Sequence, residues 1–165
     1  MLPIKTILVP TDFSESSEHA LRMACALARD YEARLVLLHV APPPIVGGTL
    51  AVPVDPRYYR EALDEALAKV EPAELRGRVE RHLREGDAAA EVLRMAEEKE
   101  CDLIVMGSHG RRMLGRLLLG SVAEMVMRGS PCPVLVVRAP IRSATPAPAQ
   151  GEGEARPEPV ATAAT

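Results

Sequence analysis

Aromatic residues are nearly absent: Phe13, Tyr31, Tyr58 and Tyr59 are the whole set in 165 residues, and there is no tryptophan. With no row of rings there is no stacking platform for single-stranded bases, and the core has to be aliphatic. An excess of cations is missing too. Twenty Lys and Arg against 23 Asp and Glu leave a net charge of −3, which removes any general attraction to nucleic acid or anionic lipid. Cysteine is sparse: Cys25, Cys101 and Cys132 are far apart and form no Cys-x-x-Cys pair. That argues against a disulfide framework or a zinc knuckle and fits a reducing cytosol. No window approaches the roughly 20 apolar residues that a membrane helix needs. Met1 to Pro10 carries one lysine and too short an apolar run for a secretory signal. The expected location is the cytoplasm, with no nucleic-acid or membrane partner.

What is present is a regular alternation of short apolar runs and amphipathic segments. Ile4 to Val9 is β-branched and aliphatic and is stopped by Pro10, which predicts a buried strand. Ser14 or Ser17 then offers an N-cap to a helix whose Ala20, Leu21, Ala24, Leu27 and Ala28 recur at helical spacing through Arg29. Leu35 to Val40 predicts a second strand, and Ala41 to Pro56, rich in proline with Gly47 and Gly48, predicts a long irregular loop. Further on, helices are expected over about Tyr58 to Val70 and Ala88 to Lys99, and strands over about Arg78 to Arg84 and Asp102 to Met106. A short helix beginning near Ser121 and a last strand, Pro133 to Val137, complete the series. Strand-helix alternation with right-handed crossovers predicts an α/β fold: a five-stranded, doubly wound parallel sheet, Rossmann-like, in the order 3-2-1-4-5 with helices on both faces. The domain is expected to span residues 1–140. Residues 141–165, dominated by Pro, Ala and Thr, cannot bury enough surface to offset their ordering entropy and read as a disordered tail.

In such sheets ligands bind beyond the carboxyl ends of the strands where strand order reverses, here between strands one and four. Two signals converge on that gap. Val9-Pro10-Thr11-Asp12 places a hydroxyl and a carboxylate at the end of strand one, although Asp12 alone reads equally well as a turn or capping residue. Met106-Gly107-Ser108-His109-Gly110 follows strand four directly, and Gly120-Ser121 comes nine residues later. Glycines there permit close approach of phosphate oxygens to backbone amides. Ser121-Val122-Ala123-Glu124 matches a capping box that would bring a helix N-terminus to the same loop. Arg111, Arg112 and Arg116 add cations that can pair with a polyphosphate.

The pattern Gly107-x2-Gly110-x9-Gly120-Ser121, closed by Pro131-Cys132-Pro133-Val134-Leu135-Val136-Val137, resembles the nucleotide-binding signature of the universal stress proteins. The resemblance extends over about Ile4 to Arg138 and includes Ile7 to Ser14, Leu38-His39-Val40 and Asp102 to Gly107. It implies the ATP-binding branch of the family, since every position of the motif is kept. By the same resemblance, Pro10, Thr11 and Asp12 would line an adenosine pocket and Val40 would meet the adenine edge through its backbone. Met106, Gly107, His109, Gly110, Gly120, Ser121 and Val122 would hold ribose and phosphates, with Mg2+ accompanying ATP. It also implies a homodimer, and the apolar last strand at a sheet edge supplies a physical reason for one.

The loop lacks the Gly-Lys-Ser/Thr ending of a P-loop, no dinucleotide fingerprint follows strand one, and there is no Gly-x-Ser-x-Gly elbow. The resemblance implies a stress-response regulatory module, and with these signatures absent it is expected to bind ATP without rapid turnover; no catalytic residue or metal ligand is assigned. The alternatives are a slow ATPase or self-phosphorylating enzyme and a ligand-free dimeric scaffold whose glycines are only conformational. Of the histidines, only His109 lies in the candidate site; His19, His39 and His82 read as structural.

Overall fold

The computed structural model describes residues 4–42, 56–70, 72, 75, 77–108 and 119–138. Nine elements follow in strict alternation: β1 (Thr6–Pro10), α1 (Glu15–Asp30), β2 (Arg34–Ala41), α2 (Pro56–Ala68), β3 (Val79–Glu85), α3 (Ala88–Glu98), β4 (Leu103–Gly107), α4 (Ser121–Gly129) and β5 (Val134–Val137). All strand pairs are parallel and the order is β3-β2-β1-β4-β5, as the alternation predicts. Boundaries differ from the sequence reading by one or two residues, because ladders run on wherever a neighbouring strand offers a partner. Pro10 is the last residue of β1, in register with Leu38, and the next amide, Thr11 N, donates to Leu38 O at 2.8 Å.

The period-two alternation of each strand divides the core in two. Ile7, Val9, Leu35, Leu37, Leu103 and Val105 face α1, whose Ala20, Ala24 and Ala28 are fully buried against them. Leu8, Val36, Leu38, Ile104 and Met106 face the other way, onto Val92, Met95 and Ala96 of α3 and Ala123 and Val126 of α4. Buried strands of this kind are covered on both faces, so their sequences are apolar runs rather than alternating ones. Small alanines at four-residue spacing let α1 sit close to the sheet, and its N-terminus is fixed by Ser14, whose side chain accepts from Ser17 N. Asp87 does the same for α3, with Ala90 N at 2.9 Å. Among the described residues no helix is long and apolar enough to cross a membrane.

Candidate functional site

The sheet opens where β1 and β4 meet. Their register pairs stop at Ile7–Leu103 and Leu8–Ile104, although β1 continues to Pro10 and β4 to Gly107. Chain order reverses at this pair, with α1 leaving β1 on one face and α4 following β4 on the other. The result is the switch-point crevice in which open α/β sheets bind ligands.

On the β1 side, Thr11, Asp12 and Ser14 build a tight turn into α1. Asp12 Oδ1 accepts from Ser14 N at 3.1 Å and Ser14 Oγ at 2.5 Å, and Thr11 Oγ1 accepts from Phe13 N at 3.1 Å. The turn-residue reading of Asp12 is therefore realised. Phe13 sits at φ 61°, a left-handed conformation that a bulky side chain rarely adopts and that tends to occur at functional sites. Its ring packs on His39, with centroids 4.6 Å apart, and His39 Nδ1 donates to Thr11 O at 2.7 Å. His39 is only 7% exposed, so its hydrogen bond and its ring together hold the turn from beneath. The reading of His39 as structural holds, and its structural work is to support the turn beside the crevice. His19 and His82 do stay on the periphery, bonded to Arg22 and Glu80 respectively.

On the β4 side, Met106 is buried and half-buried Gly107 ends the strand. Ser108 N donates to Val137 O at 2.9 Å, and Ser108 O accepts from Gly120 N at 2.8 Å. Ser108 and Gly120, which flank residues 109–119, are thereby joined, bringing Gly107 and Gly120-Ser121 to the same mouth of the sheet. The capping box is corrected: Gly120 is the N-cap of α4 and Ser121 is already its first helical residue, with no side-chain cap bond. A hydroxyl one place inside the helix no longer points back across the first turn, which leaves the start of α4 without a side chain closing it. Ser121 is exposed, and Val122 is half-buried against Val126's cluster. His109, Gly110 and the three loop arginines lie outside the described residues.

Packing gives a reason for glycine at 107 beside the one the spacing suggests. A Cβ there would fall 2.6 Å from Ser16 Oγ, 2.9 Å from Ser16 C and 3.0 Å from Ser16 O, and its φ is not left-handed. The close packing of α1 on the end of β4 demands glycine at this position, whatever else the loop binds.

Among the described residues no group of three His, Cys, Asp or Glu side chains could hold a metal ion. The Cys101 and Cys132 thiols are poor nucleophiles: burial, with the Cys132 thiol beside it, pushes the Cys101 pKa up to about 12, and burial raises Cys132 as well. The chemistry on offer is that of a binding site, with a helix N-terminus, a glycine-bounded loop, hydroxyls and one carboxylate.

Residues 3–138 match the Universal stress protein family. The universal stress protein MJ0531 of Methanocaldococcus jannaschii is 39% identical over 145 residues, which cover 82% of this chain and 83% of the relative. A universal stress protein solved in complex with cAMP is 27% identical, with a TM-score of 0.58 over 84% of this chain and 99% of its own. The universal stress protein from Archaeoglobus fulgidus solved in complex with dAMP is 25% identical, with a TM-score of 0.56 over 82% and 99%. With its five-stranded sheet in the order 3-2-1-4-5 and a family match over most of its length, this chain belongs to the universal stress protein family.

Proposed function

We propose that this protein is an adenine-nucleotide-binding regulatory module that holds ATP, with Mg2+ on its phosphates, in the crevice between β1 and β4. The observation that carries this reading is the bond from Gly120 N to Ser108 O, 2.8 Å long. It draws the two ends of the glycine-spaced loop together beside the Thr11-Asp12 turn and the N-terminus of α1. The site residues fit an adenine nucleotide in chemical kind: Pro10, Thr11, Asp12 and the Val40 backbone for adenosine, and Met106, Gly107, Gly120, Ser121 and Val122 for ribose and phosphates. His109 and Gly110 would join the second group. The related proteins solved with cAMP and dAMP support the same ligand class. The loop's sequence lacks the Gly-Lys-Ser/Thr ending with which P-loop enzymes manage a γ-phosphate, and in this reading the occupied state, not turnover, would be the signal. Residues 1–140 would form the binding unit, in the cytoplasm, as a homodimer through the last strand.

One observation favours a second reading. The Ser16 contact accounts for Gly107 without any ligand, as a purely structural dimeric scaffold would require. Protein purified without added nucleotide, then denatured and its released small molecules identified by chromatography, separates the two. The emptied protein is next titrated with magnesium-ATP, AMP and cAMP beside a Gly110→Ala variant. Release of adenine nucleotide, or ATP binding lost in a variant that stays folded, is the expected outcome. No release and no binding heat at any magnesium concentration would leave the scaffold.

A further inference from the structure

The first turn of α1 and the loop before it carry four hydroxyls, and three of them are in use. Thr11 Oγ1 lies 3.2 Å from Ser17 Oγ and accepts from Phe13 N; Ser14 Oγ donates to Asp12 and accepts from Ser17 N; Ser17 Oγ donates to Ser14 O at 2.9 Å. The fourth, Ser16 Oγ, has no hydrogen-bond partner, although the residue is only 9% exposed. Native structures rarely retain a buried hydroxyl in that condition, and an exception calls for a reason such as a ligand or water that completes it. Its place supplies one. Ser16 is the second residue of a 16-residue helix, and its oxygen lies beside the spot to which a Cβ on Gly107 would project, between the start of α1 and the end of β4 that borders the crevice. The positive end of the α1 dipole is at the same spot, and an anion is the ligand that both features favour.

We propose that Ser16 is a phosphate-binding hydroxyl of this site, one that donates to a non-bridging phosphate oxygen of the bound nucleotide at the N-terminus of α1; the proposal rests on the nucleotide reading given above. The hydroxyl lies against Gly107. A rotation about χ1 would turn it toward the ligand. The orphaned oxygen is thus a stability cost retained for binding, a common arrangement at functional sites. It also gives the site two opposed helix ends, α1 and α4, with Ser16 marking the first.

The test is the Ser16→Ala variant of the full chain, titrated with magnesium-ATP, with adenosine and with orthophosphate, alongside thermal denaturation of the nucleotide-free proteins. Loss of a hydrogen bond to a charged group weakens ATP binding by about tenfold or more. Adenosine affinity should stay unchanged, because that ligand has no phosphate for Ser16 to meet. The nucleotide-free variant should melt no lower than wild type, since the oxygen it loses had no partner. Orthophosphate should bind wild type far more weakly than ATP. Equal ATP affinity in wild type and variant overturns the proposal while leaving the nucleotide reading intact. So does an equal loss for ATP and adenosine, which would mean a distorted pocket. Orthophosphate binding as tight as ATP overturns the assignment to a nucleotide phosphate. A wild type that binds no adenine nucleotide at all overturns the nucleotide reading itself, and this proposal with it.

Discussion

At the scale of single residues, the contact between Gly107 and Ser16 has the plainest consequence. Gly107→Ala places a methyl group 2.9 Å from a backbone carbon and 3.0 Å from a backbone oxygen of α1, and neither can step aside as the tip of a side chain can. The expected cost is about 1–3 kcal/mol, read as a lower urea midpoint with an unchanged slope. Adding Ser16→Ala removes only the 2.6 Å clash with the hydroxyl oxygen, so the double variant should recover a part of the loss and not all of it. Full recovery would mean that the backbone contacts are not what makes glycine necessary. His39 is a second residue whose work is tertiary: its bond to Thr11 O spans 28 positions of sequence. No local pattern could have reported it, because neither residue's neighbours carry the trace of the other.

At the scale of elements, the strands and helices were legible because burial on both faces writes long apolar runs into parallel strands, while helices keep one polar side. Helix α1 was legible down to two cap candidates, Ser14 and Ser17, and Ser14 is the cap, accepting from Ser17 N. Helix α4 was not. Ser121 to Glu124 satisfies a capping box in sequence, yet Gly120 takes the N-cap position because its amide is pulled onto Ser108 O. A long-range hydrogen bond thus outweighed a local preference. The junction of β3 with α3 permits a prediction of its own. A hydrogen bond from Lys99, with His82 also bonded, holds the Glu80 carboxyl below its ordinary value of 4.5. A depressed carboxylate pKa stabilises the fold fully above the unfolded value, and that contribution is lost as pH falls through the folded one. Glu80→Gln should therefore lower the urea midpoint at neutral pH. The gap from wild type should close as pH drops below 4.5, and a gap independent of pH would show that the carboxylate's charge is not what matters. With both partners partly exposed to water, the effect should be small.

At the scale of the whole molecule, the sheet is closed on both faces by helices but ends at β5, four apolar residues bonded on one side to β4. Leu135 is 38% exposed, and Met125 and Met127 of α4, which packs beside β5, are also exposed. An unpaired apolar strand edge invites another chain, and proteins either blunt such an edge with charge or proline or cover it. Val134 to Val137 has neither device, which leaves covering by a second copy as the solution expected. Two copies related by a two-fold axis would set β5 antiparallel to β5, and in a strand of four residues Leu135 would lie close to the axis and so near its own equivalent. Leu135→Lys would then place like charges across the axis, where they disfavour pairing, without disturbing a buried position. Sedimentation of the wild type at micromolar concentration should give a dimer and the variant a monomer of unchanged melting behaviour. The candidate crevice lies on the β1 side of β4, away from the free edge of β5, so the monomeric variant should keep the affinity for ATP proposed above. A variant that stays dimeric would move the interface away from β5. A monomer that loses ATP would mean instead that the partner copy completes the site.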